Sequence, residues 1–271
     1  MRLDGSNFKN FTKRCKKPFD ERITYSLLNT GKDLLAETNA CTAFVQSDEI
    51  SLIFKGVDPF YGVQTKYGGR ISKLASTTAS FAAARFNYYL NLYNWEDQNI
   101  HMTQGFGNFD CRLFNVPSNK ELIDVVMWRH QYECRRNTIA MMALSEYGKK
   151  SIHEVSTITL LDRLIGTYGS FENLLQRFHP IHFYGAFIKK EQFKIQGYNP
   201  KTNEEFDDVI RTRVAHRCFD LTPEFPNAED FLTKKYWDET DLTNLQPPSE
   251  FERPNISTFE SRSRRRANHY E

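Results

Sequence analysis

The feature that most restricts how this chain can fold is a short hairpin set between two long helices. Cys41-Thr42-Ala43-Phe44-Val45-Gln46 and Ile50-Ser51-Leu52-Ile53-Phe54 are β-rich runs joined by the polar residues Ser47, Asp48 and Glu49, a pattern that predicts a hairpin with Asp48 at its tip. Before it, Asp20 is placed to cap a helix in which Ile23, Leu27, Leu28, Leu34 and Leu35 recur near helical spacing. After it, Gly68-Gly69 precede a helix over 70–93 that carries Ile71, Leu74, Thr78, Phe81, Ala82 and Phe86 near one face. A strand ending at Asp4 opens the series, and a β-like piece from Cys111 to Val116, closed by Pro117, continues it. Strand, helix, hairpin, helix and strand make an α+β chain, a mostly antiparallel sheet with helices over one face.

Beyond Pro117 the pattern turns helical. Ser118 and Glu121 have capping-box spacing and open a helix through Trp128; more helix runs to about Gly148, and Ser151 with Glu154 marks another capped start. From about Tyr198 periodicity weakens; the polar tail contains Pro247-Pro248 and ends in Arg262, Arg264, Arg265 and Arg266. The chain therefore divides into a sheet-bearing unit over 1–135, a mostly helical part of the same domain over 136–198, and an irregular, partly disordered extension over 199–271.

Composition excludes several classes. No apolar run approaches the ~20 residues that span a bilayer, and the N-terminal residues form no apolar leader, so a cytoplasmic, membrane-free protein is expected. Five cysteines without a CxxC pair suggest neither a zinc knuckle nor a disulfide framework. His179 and His182 lack a fitting third ligand and are expected to be surface or packing residues; Gly105-Phe106-Gly107 reads as a loop, and Phe86, Tyr88, Tyr89, Tyr93 and Trp95 mainly as core or interface. The formal net charge of +2 hides a basic first part, because residues 201–271 carry −4, a balance that suits a phosphate-rich partner.

Two acidic positions stand out, Asp4 before Gly5 and Asp48 between Ser47 and Glu49. Each alone is an ordinary turn residue. Together, on neighbouring strand ends, two carboxylates can hold a pair of Mg²⁺ ions, hard cations that keep other coordination sites for water and phosphate. Gly5 permits close approach of the backbone. Lys17 and Lys73, flanking the hairpin in sequence, can neutralise triphosphate oxygens, and Lys73 falls in a first helical turn where the macrodipole favours anions.

Six blocks in order carry a family resemblance. Asp4-Gly5-Ser6-Asn7-Phe8-Lys9-Asn10-Phe11, Lys17-Pro18-Phe19-Asp20, Gln46-Ser47-Asp48-Glu49-Ile50-Ser51, Arg70-Ile71-Ser72-Lys73, Phe109-Asp110-Cys111-Arg112 and Trp128-Arg129 together resemble the tRNA(His) guanylyltransferase family, including its bacterial, archaeal and phage "like" members. The resemblance implies a palm-like, ferredoxin-like catalytic domain similar to that of polymerases and nucleotide cyclases. It implies 3′→5′ nucleotide addition to tRNA by a two-metal mechanism, with ATP and GTP or other nucleoside triphosphates as substrates, and a homotetramer or homodimer. By position, Asp4, the carbonyl of Gly5, and Asp48 would bind two Mg²⁺ ions. Gly5, Ser6, Asn7, Phe8 and Lys9 through their backbone, with Lys17, Ser47 and Lys73, would hold the triphosphate. Arg112, Arg129, Arg136 and Asn137 would face the RNA 5′ end. Cys134-Arg135-Arg136-Asn137-Thr138-Ile139 stands where eukaryotic members carry H-I-N-N-L-Y-N. The resemblance there is to the bacterial and phage-like branch, which implies template-dependent repair of tRNA 5′ ends. Two alternatives stay open at this level: a non-catalytic tRNA-binding palm domain, and another palm enzyme such as a cyclase, which would turn over nucleotide without RNA.

Overall fold

The computed structural model describes residues 1–55, 66–95, 106–222, 225 and 227–238. The first half folds as β1 (Arg2–Ser6), α1 (Phe8–Phe11), α2 (Glu21–Thr38), β2 (Thr42–Gln46), β3 (Glu49–Ile53), α3 (Ile71–Leu90) and β4 (Asn108–Arg112). The rest adds α4 (Asn119–Met127), a π-helical turn (Trp128–Cys134), α5 (Arg135–Ile152), α6 (Thr157–Tyr168), α7 (Phe171–Arg177), α8 (Ile181–Tyr184), β5 (Ala186–Asn199), β6 (Glu204–Arg217) and α9 (Ala228–Thr233). One six-stranded sheet in the order β4-β1-β3-β2-β5-β6 runs through the molecule, every pair antiparallel. The first four strands have the order of a ferredoxin-like βαββαβ unit, so the expected α+β palm is the fold observed.

Side-chain alternation along the strands explains the layers. Leu3, Ala43, Val45, Ile50 and Leu52 point to one face and pack with Leu27, Leu34, Leu35, Ala82 and Phe86 of α2 and α3. Asp20 caps α2 by accepting from the Arg22 backbone N–H at 3.1 Å. The expected helices on one face are therefore α2 and α3, but the second face is also partly covered. Phe44, Ile53 and Phe187 point there and pack against Val126, Met127, Phe219, Phe231 and Trp237. All five residues of β2 are buried as a result.

Several boundaries differ from those expected. Asp4 lies within β1, since Gly5 and Ser6 continue the pairing with Phe109 and Asn108 of β4. The fourth strand is 108–112, not 111–116, because its partner among the described residues is the five-residue β1. The cap after α5 is Ser156, which accepts from the Thr159 N–H at 3.2 Å. Ser151 is inside α5, and Glu154 takes a left-handed φ of 59°. Residues 186–217 are a long hairpin, not helix followed by irregular chain, and α9 lies in the segment read as irregular. What hid the strand is Lys189, a fully buried lysine in the run Phe187-Ile188-Lys189-Lys190. Its ammonium donates to the carbonyls of Phe231 and, at 2.6 Å, Lys234, where α9 ends, so the end of a helix supplies the acceptors that a buried cation needs. Pro247-Pro248, the Arg262–Arg266 cluster and Gly105 lie outside the described residues. No helix among the described residues is long and apolar enough to cross a membrane.

Three histidines packed into this frame predict acid sensitivity. Burial pushes His182, stacked 3.8 Å from Phe19, down to about 4, with His179 adding to the effect. Burial, then Lys32, Arg217 and His179, brings His216 to about 4, and burial also lowers the wholly enclosed His130. The unfolded chain then binds more protons than the folded one between about pH 6.5 and 4. Stability is full above that window and falls as pH drops through it. Because the raised carboxyl of Glu49 works in the opposite sense over the same range, the histidine share is read as a difference: between pH 7 and 5 in urea denaturation, the wild type should lose about 2 kcal/mol more than a His182→Gln/His216→Gln variant, discounted for the partial exposure of His216. Equal losses in the two proteins would contradict the assignment.

Candidate active site

The site grows from the β2–β3 turn. Gln46 pairs with Glu49, so the turn proper is only Ser47 and Asp48, and Ser47 takes a left-handed φ of 48°. Glu49, expected in the turn, is the first residue of β3 and is buried. The neighbouring strand locks the turn: the Gly5 N–H donates to the Asp48 carbonyl at 3.1 Å. Asp4 stands opposite Glu49. Asp48 is half-buried, and its carboxyl is held above the usual range by burial first and by the charge of Asp4 second. Among the described residues no basic side chain forms an ion pair with either aspartate.

Strand register collects further groups on the same face. Asp4 is opposite Asp110 on β4, and Arg2 is opposite Arg112 on one side and Ser51 on the other. Gln46, Glu49 and Ser51 therefore share the face of Arg2, Asp4, Asp110 and Arg112, while Leu3 and Ile50 face the apolar layer. Arg112 is 60% exposed and approaches Asp110 at 3.4 Å. This polar patch is the half of the second sheet face that Phe44 and Phe187 do not occupy.

Glu49 is charge-compensated where the two aspartates are not. Arg129, from the π-helical turn, places Nη1 3.1 Å from Glu49 Oε2; Arg2 Nε is 3.6 Å from the same oxygen, and Ser51 Oγ donates to Oε1 at 3.4 Å. Burial nevertheless pushes the Glu49 carboxyl up to about 7, with Arg2 opposing and Asp4 adding to the rise. Arg2, Gln46 and Asp110 were not among the expected site residues. Gln46 and Asp110 stand in the quoted sequence blocks without a role assigned to them, and Arg2 is marked only by period-two alternation with Asp4.

The expected nucleotide-binding residues are only partly gathered. Gly5 is required where it sits: a Cβ there would come within 2.3 Å of the Phe8 ring. Phe8 is core, packed at 5.2–5.3 Å from Phe11, Phe86 and Phe109, so only its backbone is available to a ligand. Asn7 takes a left-handed φ of 58° and accepts from the Asn10 amide at 2.8 Å, turning the chain from β1 into α1. Ser6, Asn7, Lys9 and Ser47 are exposed. Lys17 is exposed and donates to the Thr12 carbonyl at 3.0 Å. Lys73, also exposed, lies in the first turn of α3, 5.1 Å over the Tyr67 ring. The N-cap of α3, Arg70, makes no side-chain cap and no acid stands in the first turn, so uncapped N–H groups accompany Lys73.

Of the residues expected at an RNA end, Arg112 lies on the aspartate face, whereas Arg129 is engaged with Glu49. Arg136 pairs with Glu133 at 2.9 Å, contacts the Asn137 amide and stacks 5.4 Å from Tyr132. Neither Arg136 nor Asn137 hydrogen-bonds to the two aspartates.

The donor chemistry fits divalent magnesium. No cluster of three or more His, Cys, Asp or Glu side chains suited to a metal forms among the described residues. What remains is the carboxylates of Asp4 and Asp48, neither with a cationic partner among the described residues. Mg²⁺ is commonly bound by one or two carboxylates, with water and substrate phosphate completing its shell.

Comparison with known proteins gives a consistent picture. The family model described as tRNAHis guanylyltransferase matches residues 1–117. An uncharacterized protein of Acanthamoeba polyphaga mimivirus is 31% identical over 264 residues, covering 91% of this chain and 85% of that protein. A bacterial tRNA(His) guanylyltransferase-like protein in complex with ATP has a TM-score of 0.62 at 24% identity, over 85% of this chain and 86% of that chain. A bacterial protein of the same description in complex with GTP gives 0.59 at 24% identity, over 85% and 87%. The tRNA(His) guanylyltransferase of Saccharomyces cerevisiae gives 0.56 at 20% identity, over 69% and 82%. These solved structures share the fold.

Proposed function

Residues 1–117 of this chain match the tRNAHis guanylyltransferase family, and from that premise we propose that the protein is an RNA 5′-end nucleotidyltransferase working in the 3′→5′ direction. Its substrates are a tRNA with an incomplete 5′ end and nucleoside triphosphates, and its task is template-dependent repair. The observation that carries the reading is the proximity of Asp4 in β1 to Asp48 in the β2–β3 turn, two carboxylates close enough for the charge of one to act on the other and without a cationic partner among the described residues. The bacterial relatives in complex with ATP and with GTP support the same nucleotides as substrates here.

The reaction has two steps. A 5′-phosphate oxygen of the RNA attacks the α-phosphorus of ATP, forming a phosphoanhydride and releasing pyrophosphate. The 3′-hydroxyl of the incoming nucleotide then attacks the activated 5′-phosphorus, forming the phosphodiester and releasing AMP; a 5′-triphosphate end omits the first step. Two Mg²⁺ ions held by Asp4, Asp48 and the Gly5 carbonyl would supply Lewis-acid stabilisation of the attacking and leaving oxygens. The protein's own part is positioning and charge neutralisation. The Gly5–Lys9 backbone, Ser47, Lys17, Lys73 and the N-terminal amides of α3 hold the triphosphate, and Arg112 holds the RNA phosphate.

The test uses two 5′-monophosphorylated tRNAs lacking their first nucleotide, one pairing that position with C and one with A, incubated with ATP, Mg²⁺ and all four nucleoside triphosphates. G opposite C and U opposite A is the expected result. G on both would reduce the activity to fixed guanylate addition, and no addition to either, with RNA still bound, would leave a non-catalytic binding domain. We also propose a cytoplasmic homodimer or homotetramer. Light scattering is expected to report one of these assemblies, and a clean monomer would overturn it.

A further inference from the structure

We propose that Glu49 is a positioning residue and not a metal ligand: with Arg129 it forms a clamp that fixes the Asp48 turn to the helical framework. The inference rests on the functional reading above and deepens it. Its physical basis is which oxygens are already engaged. Oε2 of Glu49 faces Arg129 Nη1 at 3.1 Å and Arg2 Nε at 3.6 Å, and Oε1 accepts from Ser51 Oγ at 3.4 Å. The Glu49 side chain is 8% exposed. Asp4 and Asp48 have no cationic partner among the described residues, so adjacent acids in the sequence Asp48-Glu49 have divided roles.

The other half of the clamp is the π-helical turn between α4 and α5. Its residue His130 is anchored on the far side: the ring nitrogens lie 2.9 Å from the Tyr184 carbonyl, 3.1 Å from Asp220 Oδ1 and 2.9 Å from the Leu221 amide. Arg135 holds the same Asp220 carboxylate. Trp128 packs 4.5 Å from Tyr132 within the turn. Arg129 therefore reaches the sheet from a segment that its neighbour ties to α8 and to the residues just after β6. π-Helical turns redirect successive side chains and recur at functional sites. A two-residue turn gains from such support, since Asp48 is repelled by Asp4 and small misplacement of a reacting group lowers rate steeply.

The experiment compares Glu49→Gln, Arg129→Met, Arg129→Lys and the double variant Glu49→Gln/Arg129→Met in templated addition to truncated tRNA. kcat, KM for the nucleotide and the Mg²⁺ dependence are measured, and amide hydrogen exchange is followed at Gly5. Each single removal is expected to lower kcat on the order of 10²-fold with KM changed by less than about twofold. The Mg²⁺ dependence should be unchanged, the double variant no worse than the poorer single, and Arg129→Lys partly restored. A raised Mg²⁺ requirement in Glu49→Gln alone would make Glu49 a ligand. A raised KM for RNA with intact kcat in Arg129→Met would make Arg129 an RNA contact. Additive losses would also overturn the clamp. If the wild type extends no RNA, the functional reading fails instead, and Gly5 exchange still decides the clamp. Acceleration of at least about tenfold in Arg129→Met is expected, because this amide reports the bond to the Asp48 carbonyl; unchanged exchange overturns it.

Discussion

Asp48→Ala is expected to remove templated nucleotide addition by about 10³-fold or more while leaving the protein no less stable than the wild type. The two halves of that result have one cause. Burial and the charge of Asp4 hold the Asp48 carboxyl above its usual range, which means that the ionised group is unfavourable in the folded protein and is retained for another purpose. Removing it relieves the repulsion. The turn itself is kept by backbone: Gly5 donates to the Asp48 carbonyl at 3.1 Å, and alanine preserves that bond. Single-turnover extension and thermal melting on the same preparation check both halves. An active variant would sink the assignment of Asp48, and an inactive variant that melts well below wild type would show a structural group in its place.

Gly185→Ala is expected to have the largest effect on stability. Gly185 links α8 to β5 with φ 62° and ψ −165°, a region open essentially to glycine alone. A Cβ there would also meet the Phe44 ring at 2.6 Å and the Val45 carbonyl oxygen at 2.8 Å. The backbone atom cannot rotate away, and Phe44 is packed 4.7 Å from Phe187. Backbone strain of about 1–3 kcal/mol and overpacking of about 1–3 kcal/mol act at one point, so a loss of about 4 kcal/mol in urea denaturation is expected. A change below about 1 kcal/mol would mean that the α8–β5 link is not held as described.

The sequence exposed the palm because its elements are locally consistent. The periodicity of Leu27, Leu34 and Leu35, the Asp20 cap and the paired runs around Ser47-Asp48 all carry their signal within a few residues. The turn aspartate was legible for the same reason. Glu49 was not, because a buried carboxylate and a turn carboxylate look alike until the arginine that compensates one of them appears 80 positions later as Arg129. The β5–β6 hairpin was missed on similar grounds. Lys189 breaks the apolar alternation, and its partners are carbonyls at the end of a helix more than 40 residues away. Ser151 and Ser156 are equally good caps on paper; the left-handed Glu154 between them is a backbone feature with no sequence mark.

The strand order has a consequence for how the molecule is made. β2 meets β3 across a two-residue turn, but its other neighbour is β5, more than 140 residues further on. When a ribosome has released the first 117 residues, the βαββαβ unit has all its strands, yet one edge of β2 is unpaired and Phe44 and Ile53 have nothing over them. An apolar strand edge of this kind is a site for association with other chains. The nascent protein therefore passes through a long interval in which its βαββαβ half exists but is not self-sufficient. The arrival of residues 186–237 ends that interval by supplying a strand and the Phe187–Phe219–Phe231 cluster together.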